Sequence, residues 1–339
     1  MNIATSLHPL LTMKSTLTLM FAPPGWGKTT LILDIYKEFP GKIVFISPLR
    51  ALSEEFFSRA SPLGNVYLSS KEGACDSFLK RSKSLLVTTA EKLNEEVISI
   101  GESQDILYIF DEFHLFYYWG DDFRPLLKER LMNCANYSCQ ILGLTATMDE
   151  SLIDLCKAEF LIAIDHFYIL NLGNQVLLNK PKDIYNFSKL NKSIFNRFLL
   201  REIHSRNHKG TILVFCRFRG EVFQWLDFCN RQKIDALGCV GGKVDLFLES
   251  LSQNSRPRVI FSTSALSHGV NLPTITKVFL SYPINNRDFW IQMVGRGGRD
   301  GSNYEVYEME KSSLSFWNLY QSMIIWLRDL FLSLNSGTL

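Results

Sequence analysis

The chain has 339 residues, of which 46% are hydrophobic and 21% are charged. This is the balance of an ordinary globular protein, and the length allows two cores of common size. The formal net charge is only +2, which excludes a global acidic or basic bias, so a polyanion would have to be met by a local patch.

The cysteines and the terminal segments bear on the location of the protein. Seven cysteines without a CxxC pair are typical of reduced thiols in a cytoplasmic protein, not of a disulfide framework or a zinc site. The N-terminal MNIATSLHPLL lacks the basic and apolar regions of a signal peptide. Polar residues interrupt the apolar segment 314–334, so we expect no membrane span there but a final helix that packs or docks.

Strand-like and helix-like stretches alternate along most of the chain. From about residue 16 to about residue 165 the strand-like runs are apolar on both faces, as buried parallel strands are: TLTLMFA, KIVFIS, NVYLSS, SLLVTT, ILYIFDE and QILGLTAT. The segment 166–208 is rich in Asn and Lys and breaks this rhythm. Alternation then resumes with TILVFC, KIDALGC, RVIFSTS, TKVFLSY and YEVYEM.

This alternation predicts an α/β protein with two parallel-sheet domains. We expect the first domain at 1–165, and the connection with the start of the second domain at 166–208. The rest of the second domain would lie at 209–310, followed by a C-terminal helical tail at 311–339.

The stretch APPGWGKTT follows the first strand and precedes a helix. Such a loop wraps backbone N–H groups around phosphate oxygens, with Lys28 reaching the β- and γ-phosphates and the Thr29 hydroxyl on Mg²⁺. The alternative is a Gly/Pro turn, and Trp26 either packs, which we favour, or stacks on a ligand. The predicted nucleotide-binding residues are Ala22, Pro23, Pro24, Gly25, Trp26, Gly27, Lys28, Thr29 and Thr30.

The stretch YIFDEFH places three chemically active side chains at the end of an apolar strand. Asp111 can hold Mg²⁺, and Glu112 can polarise an attacking water. The alternative is a charged loop after a strand, which the upstream phosphate loop disfavours. A kinase does not need this pair, and the chain has no NKxD signature of a GTPase. His114 either couples nucleotide to a second ligand or is simply buried.

Two stretches in the second half carry further signals, namely Phe261–Pro273 (FSTSALSHGVNLP) and Gln292–Gly301 (QMVGRGGRDG). Arg296 and Arg299 lie among glycines, where arginines can steady the charge on a phosphoryl group in transfer. A basic loop that binds any anion is the alternative for this stretch taken alone.

In this order the motifs resemble those of a superfamily 2 helicase of the DExH type, from Phe21 to Asp300. The forms GVNLP and TAEK look closest to the Ski-like branch. The stretches that carry the resemblance are, from motif I to motif VI, APPGWGKT, SPLRAL, TTAEKL, DEFH, TAT, LVFCRFRGE, STSALSHGVNLP and QMVGRGGR.

The resemblance implies two tandem RecA-like domains with an ATP cleft between them. Lys28, Asp111 and Glu112 would act on the nucleotide, with Thr29 and Asp111 as the magnesium ligands. Gln292 would meet the γ-phosphate or the water, and Arg296 and Arg299 would be arginine fingers. Two further sets are implied: Gly269 and Asn271 for closing on the nucleotide, and His114, Thr145 and Thr147 for coupling hydrolysis to movement.

The resemblance also implies a track for nucleic acid, formed by Pro48, Arg50, Thr89, Arg217 and Thr263. Hydroxyls, backbone N–H groups and a few arginines suffice to hold phosphates, which fits the small net charge. Alternatives stay open, since Arg217 could be a surface charge and Thr89 could cap a helix. The aromatic residues after the DEFH strand could stack bases, but packing is favoured: Phe113, Phe116, Tyr117, Tyr118 and Trp119.

The chain departs from the family pattern at both sides of the motifs. Family members carry an upstream glutamine that reads adenine, whereas the first glutamine here is Gln104, so the selectivity for the base of ATP stays open. Only a short segment follows motif VI, where Ski-like relatives carry further domains. We therefore expect a protein partner to supply such accessory domains.

We expect an ATP-dependent helicase or translocase that uses ATP and Mg²⁺ to move on or remodel DNA or RNA. The alternative is an ATP-gated nucleic-acid clamp, or a motor subunit of a larger complex, without unwinding activity of its own. A third hypothesis, a remodeller of proteins alone, requires an ATPase that is insensitive to nucleic acid. The choice between DNA and RNA is not legible in the sequence.

Overall fold

The computed structural model describes residues 3–120, 124–188, 191–205, 210–266 and 270–310, with only the backbone for residues 3–5. The chain divides into two compact units between Val176 and Leu177. No helix within these ranges is long and apolar enough to cross a membrane. The predicted tail at 311–339 and the candidate residue Gly269 lie outside the described residues.

The first unit is built on a seven-stranded sheet whose strands all pair in parallel, in the order β3-β4-β2-β5-β6-β1-β7. The strands are β1 (Thr16–Phe21), β2 (Lys42–Ser47), β3 (Val66–Leu68), β4 (Ser84–Thr89), β5 (Ile106–Asp111), β6 (Gln140–Thr145) and β7 (His166–Asn171). The helices are α1 (Ile3–Leu11), α2 (Lys28–Glu38), α3 (Arg50–Ala60), α4 (Ala74–Lys80), α5 (Glu95–Ser103), α6 (His114–Tyr118), α7 (Pro125–Asn136) and α8 (Glu150–Phe160).

The second unit is built on a six-stranded parallel sheet in the order β10-β11-β9-β12-β13-β8. Its strands are β8 (Asp183–Phe187), β9 (Thr211–Phe215), β10 (Ala236–Cys239), β11 (Val259–Ser262), β12 (Ile275–Leu280) and β13 (Glu305–Met309). Its helices are α9 (Lys192–His204), α10 (Arg219–Arg231), α11 (Val244–Gln253) and α12 (Arg287–Val294). The prediction of two parallel-sheet α/β domains is confirmed.

All the strand-like runs predicted from the sequence form strands, but the segment 166–208 holds two more. β7 pairs in parallel with β1, from Thr16 opposite His166 to Phe21 opposite Asn171. It therefore belongs to the first sheet, which corrects the boundary expected at residue 165. β7 is an edge strand with largely exposed side chains, so it lacks the continuous apolar signal of a buried strand.

The sheet order sets which loops of the first unit meet. β6 lies between β1 and β5, and the ends of the three strands are level, with Phe21 opposite Thr145 and Asp111 opposite Leu144. Because all three strands are parallel, their carboxyl ends share one edge of the sheet, which is where α/β proteins bind ligands. The phosphate-loop motif, DEFH and TAT therefore come together there.

The aromatic residues after β5 mostly belong to the core of the first unit. Phe113, Phe116 and Tyr117 are fully buried, and Phe116 packs edge-on against Phe110 with ring centres 5.0 Å apart. The packing interpretation is therefore correct for these three residues, because a buried ring has no face left for a base.

Candidate functional site

The loop between β1 and α2 has the backbone geometry of an anion-binding turn. Gly25 and Gly27 have φ of 83° and 104°, values that side chains rarely allow. No side chain caps α2, which begins directly after Gly27, and the N-terminus of a helix is a common site for binding an anion. A Cβ on Gly27 would meet nothing within 4 Å, so the backbone conformation alone selects glycine here.

Side chains of the same loop complete the candidate phosphate site. The Lys28 Nζ donates to the Ala22 carbonyl, 3.0 Å away, so the ammonium group lies across the mouth of the loop. Thr29 is partly buried and follows Lys28 in the first turn of α2. Trp26 is partly buried and packs against the apolar core on this side of the sheet, which supports packing over stacking on a ligand.

Asp111 and Glu112 form the acidic part of the site. Burial, and then the charge of Glu112, raise the pKa of the Asp111 carboxyl to about 7, while Lys28 lowers it. Two neighbouring carboxyl groups with little solvent around them favour the binding of a cation such as Mg²⁺. Within the described ranges no group of three or more His, Cys, Asp or Glu side chains could hold a metal.

Glu112 has an unusual backbone for a residue with a large side chain. Its φ is 49° and it is 8% exposed. The left-handed region costs a non-glycine residue roughly 1–2 kcal/mol, so the surrounding turn must hold it in place. Two bonds do so, from the Phe113 N–H to the Leu144 carbonyl and from the Leu115 N–H to the Glu112 carbonyl, both 2.8 Å. Strain of this kind is common at functional sites.

The three candidate coupling residues form one buried network. The Thr145 hydroxyl donates to the Thr147 carbonyl at 2.9 Å and lies 2.8 Å from His114 Nδ1. Because a hydroxyl has one proton, it accepts from His114, so Nδ1 carries the histidine proton. His114 Nδ1 is also 3.8 Å from Glu112 Oε2. The network therefore joins the loops after β5 and β6.

The first-unit residues predicted to meet nucleic acid follow two neighbouring strands. Pro48 and Arg50 follow β2, Thr89 ends β4, and Arg50 and Thr89 line a cavity of about 40 Å³. The Arg50 side chain donates to Glu54 at 2.8 Å and remains mostly exposed. The Thr89 side chain makes no capping hydrogen bond to the short helix that follows, so the capping interpretation is wrong.

Sequence reasoning missed Arg124, which precedes Pro125 at the start of α7. Its Nη1 donates to the Pro48 carbonyl at 2.7 Å, and its Nε donates to Glu91 Oε1 at 2.9 Å. Its guanidinium also lies over the Trp119 ring, 5.5 Å from the centre. No sequence pattern singles out Arg124, because its partners are distant in the chain and come close only in the fold.

The second unit holds the remaining candidates. Gln292 and Arg296 are 3% and 2% exposed, and Arg296 Nη1 donates to the Val270 carbonyl at 2.5 Å. Arg296 thus bonds motif VI to Val270, the neighbour of Asn271. Asn271 itself is exposed. The Arg299 Nε donates to the Gly295 carbonyl at 3.0 Å, and the residue is exposed.

Two candidates for nucleic-acid contact lie at strand ends in this unit. Arg217 follows β9 and is exposed, and Thr263 follows β11 and donates its N–H to the Cys239 carbonyl at 3.1 Å. β9 and β11 are adjacent in the sheet. The predicted nucleic-acid residues therefore lie at the carboxyl edge of the sheet in each unit. Motif VI lies at the opposite edge of the second sheet, since the Gly298 N–H donates to the carbonyl of Ile275, the first residue of β12.

Comparison with known families gives two matches. Residues 4–155 match the DEAD/DEAH box helicase family, and residues 195–301 match the helicase conserved C-terminal domain. The two matches fall in different units of the chain.

Curated relatives are similar over most of the chain at low identity. The ATP-dependent DNA helicase RecQ of Bacillus subtilis is 25% identical over 300 residues, which are 84% of this chain and 49% of that protein. The U5 small nuclear ribonucleoprotein 200 kDa helicase of Caenorhabditis elegans is 26% identical over 364 residues, 83% of this chain and 17% of that protein. The chain thus spans about half or less of the length of these relatives.

Solved structures share the fold. Dbp5 of S. cerevisiae, bound to RNA and ADP BeF3, aligns with a TM-score of 0.66 and 15% identity, covering 95% of this chain and 86% of that one. The Mycobacterium smegmatis helicase Lhr, bound to ssDNA and AMP-PNP, aligns with a TM-score of 0.61 and 17% identity, covering 91% and 45%.

Proposed function

We propose that the chain, which matches both helicase domains, is a superfamily 2 helicase that hydrolyses ATP to move on or remodel DNA or RNA. The observation that carries the proposal is the loop with positive φ at its glycines, whose Lys28 ammonium bonds the Ala22 carbonyl and lies close enough to Asp111 to lower its pKa. Glu112 is the next residue in the chain. A phosphate loop beside an acidic strand end is what nucleoside triphosphate hydrolysis requires.

We assign the first-unit roles from this geometry. Lys28 and the N–H groups of the loop hold the phosphates, and Thr29 and Asp111 hold magnesium. A bound magnesium ion neutralises charge on the phosphates. Glu112 orients a water, which attacks the γ-phosphorus as the bond to the β-phosphate oxygen breaks, and the carboxylate takes the proton of the water. The held backbone of Glu112 supports a fixed carboxylate position.

The other roles are part of the same proposal. Gln292 meets the γ-phosphate or the water, and Arg296 and Arg299 steady the charge on the phosphoryl group. Asn271, with Gly269, responds to the bound nucleotide, and the bond from Arg296 to Val270 supports a link between these two motifs. The network of His114, Thr145 and Thr147 couples hydrolysis to movement, and its position between two strand ends supports that role.

Nucleic acid would lie along Pro48, Arg50 and Thr89 in the first unit and Arg217 and Thr263 in the second. Their places at neighbouring strand ends support this track. Within the superfamily we propose that the chain is of the DExH type, on the basis of DEFH, and belongs to the Ski-like branch, on the basis of GVNLP and TAEK. The similar proteins include both RecQ and the U5 200 kDa helicase. Seven free cysteines support a cytoplasmic location.

The test is steady-state ATPase of the chain alone and with single-stranded and duplex DNA and RNA. Turnover should rise with at least one polymer, and Glu112→Gln should remove it, by at least about a hundredfold for a lost general base, while nucleotide binding persists. Undiminished stimulated turnover in Glu112→Gln would reject the assigned role. Turnover that responds to no polymer would reject the motor.

A strand-separation assay then decides between the motor and the clamp. Polymer-stimulated ATPase with separation or directed movement supports the helicase or translocase. Stimulated ATPase without either supports the clamp, or a motor subunit that needs a protein partner.

A further inference from the structure

Phe218 occupies the position before α10 where helices usually carry a capping Ser, Thr, Asp or Asn. Its side chain cannot accept a hydrogen bond and makes none to the helix. Glu221 serves the helix start instead, since its Oε2 accepts from the N–H of Arg217 at 2.8 Å and of Phe218 at 3.3 Å. Phe218 is 60% exposed. An aromatic residue thus stands on the surface in a place where a polar one would stabilise the fold better.

The surroundings of Phe218 are aromatic and basic. The Arg217 guanidinium lies 5.3 Å from the centre of the Phe218 ring. One turn into α10, Phe223 is 49% exposed, and the Lys243 ammonium lies 5.9 Å from the centre of its ring. Arg219 Nη2 donates to the Gly241 carbonyl at 2.8 Å, which links α10 to the loop after β10. We call Arg217, Phe218, Arg219, Phe223 and Lys243 the aromatic strip.

The aromatic strip lies at the carboxyl edge of the second sheet. Arg217 and Phe218 follow β9, and Lys243 belongs to the loop after β10, with β11 between the two strands. Parallel strands place the loops at their carboxyl ends on one edge. The acidic groups nearby are Glu221, whose carboxylate accepts from the backbone, and the exposed Asp245 in the first turn of α11. The cations of the strip outnumber them.

A ligand for this surface must offer flat faces and negative charge together. An unpaired nucleic-acid strand does so, because every base has a π-face and every link carries a phosphate. Stacking of a base on an aromatic side chain tolerates any sequence. A duplex does not fit in the same way, since its base faces are covered by their neighbours.

We propose that Phe218 is a stacking platform for an unpaired base, with Arg217, Arg219 and Lys243 holding the flanking phosphates. The assignment rests on the proposed function, and it names the substrate of the second unit as single-stranded nucleic acid. It is a binding role distinct from the contacts of Arg217 and Thr263 alone, because it contacts the faces of bases and not only phosphates.

The experiment measures binding of an oligothymidylate, its RNA counterpart and an abasic DNA strand of equal length, at one salt concentration. The wild-type chain should prefer the strands with bases. Phe218→Ala should weaken binding to them by about fivefold to a hundredfold, the effect of losing one base–aromatic stack. Its binding to the abasic strand should not change. Phe218→Trp should retain the preference, and Ile162→Ala, which removes an exposed apolar side chain of the first unit, should change nothing.

Phe218→Ser provides a second readout that a structural role would not produce. It introduces a capping hydroxyl, so the thermal midpoint should be equal to or higher than that of the wild type. Its affinity for strands with bases should nevertheless fall as in Phe218→Ala. A stabilised variant with weakened binding supports the stacking role.

Two results would overturn the inference, and they bear differently on the motor. If Phe218→Ala keeps the full preference for bases while polymer still stimulates ATPase, the stacking role is rejected and the proposed function stands. If the wild-type chain binds no single strand and no polymer stimulates its ATPase, both are rejected.

Discussion

At the scale of a single residue, Thr145 is the centre of the buried hydrogen-bond network in the first unit. Its hydroxyl is the meeting point of His114 Nδ1, the Thr147 carbonyl and, at 3.3 Å, the Thr147 N–H. Thr145 and Thr147 are fully buried and His114 is 1% exposed. Because no water competes for these groups, each hydrogen bond is stronger than it would be at the surface.

We expect Thr145→Val to lower the free energy of unfolding of the chain by about 1–3 kcal/mol, because it leaves buried groups of His114 and Thr147 without this partner. Valine keeps the shape of threonine, so packing is preserved. If the network couples hydrolysis to movement, polymer stimulation of the ATPase should also fall while basal turnover remains. Denaturant unfolding and stimulated ATPase measure the two effects.

Thr18→Val is the matched control for this substitution. Thr18 lies in β1, next to β6, is 1% exposed, and its hydroxyl has no hydrogen-bond partner among the described residues. The same change there removes only a polar group that is buried without compensation, so stability should be unchanged or higher. Equal losses of unfolding free energy in both variants would show that the hydrogen bonds of the Thr145 hydroxyl do not contribute to stability.

At the scale of elements, the loops after β2 and β4 are joined by the residue before α7. Arg124 donates to the Pro48 carbonyl and to Glu91, and so holds the motif that contains Pro48 and Arg50 against the one that contains Thr89. The Arg124 side chain is 24% exposed, and its bond to the Pro48 carbonyl is partly buried. We interpret Arg124 as a positioning residue for the proposed track.

We expect Arg124→Ala to weaken binding of single strands by roughly threefold to tenfold, since about 1 kcal/mol of loop ordering is lost. Basal ATPase should remain, because Lys28, Asp111 and Glu112 lie on other loops. Affinity titrations with basal turnover as the second readout test this.

The control for Arg124 lies on the same helix. Arg130 Nη1 bonds Glu95 Oε2 at 2.6 Å, which joins α7 to the start of α5 and not to a proposed nucleic-acid loop. Arg130→Ala should leave affinity unchanged. An equal loss in both variants would mean that α7 acts only through general stability.

At the scale of the whole molecule, the cysteines report on burial across both units. Burial raises the pKa of Cys156, Cys216 and Cys239 to about 12 and of Cys229 to about 11. Cys75 is the partly exposed cysteine, and the others are buried. These four thiols are therefore protonated and shielded near neutral pH.

We expect one thiol of the native chain to react with a disulfide reagent at mildly alkaline pH, and the others to react only on unfolding. Cys75→Ser should remove the early phase, and Cys216→Ser should not. The sign of the pH effect also follows: thiols of the unfolded chain ionise first as pH rises, so the free energy of unfolding falls. Several reactive thiols in the native chain would contradict the packing of both cores.

The sequence by itself determined the two parallel sheets, the strands at their centres and, in the first unit, the motifs at the carboxyl edge. These signals are local, because a strand buried on both faces must be apolar throughout and a phosphate loop must carry glycine where φ is positive. Gly27 and Lys28 could therefore be placed from a few neighbouring residues. The roles assigned to them remain predictions until the ATPase variants are measured.

The tertiary structure alone decided what depends on partners distant in the chain. It placed β7 beside β1, gave Arg124 its bonds to two separate loops, and left the Phe218 ring exposed. It also put Glu112 in a left-handed turn that no local pattern predicts for glutamate. The physical reason is common to all four, since pairing, burial and strain are set by contacts that form only when the sheets assemble.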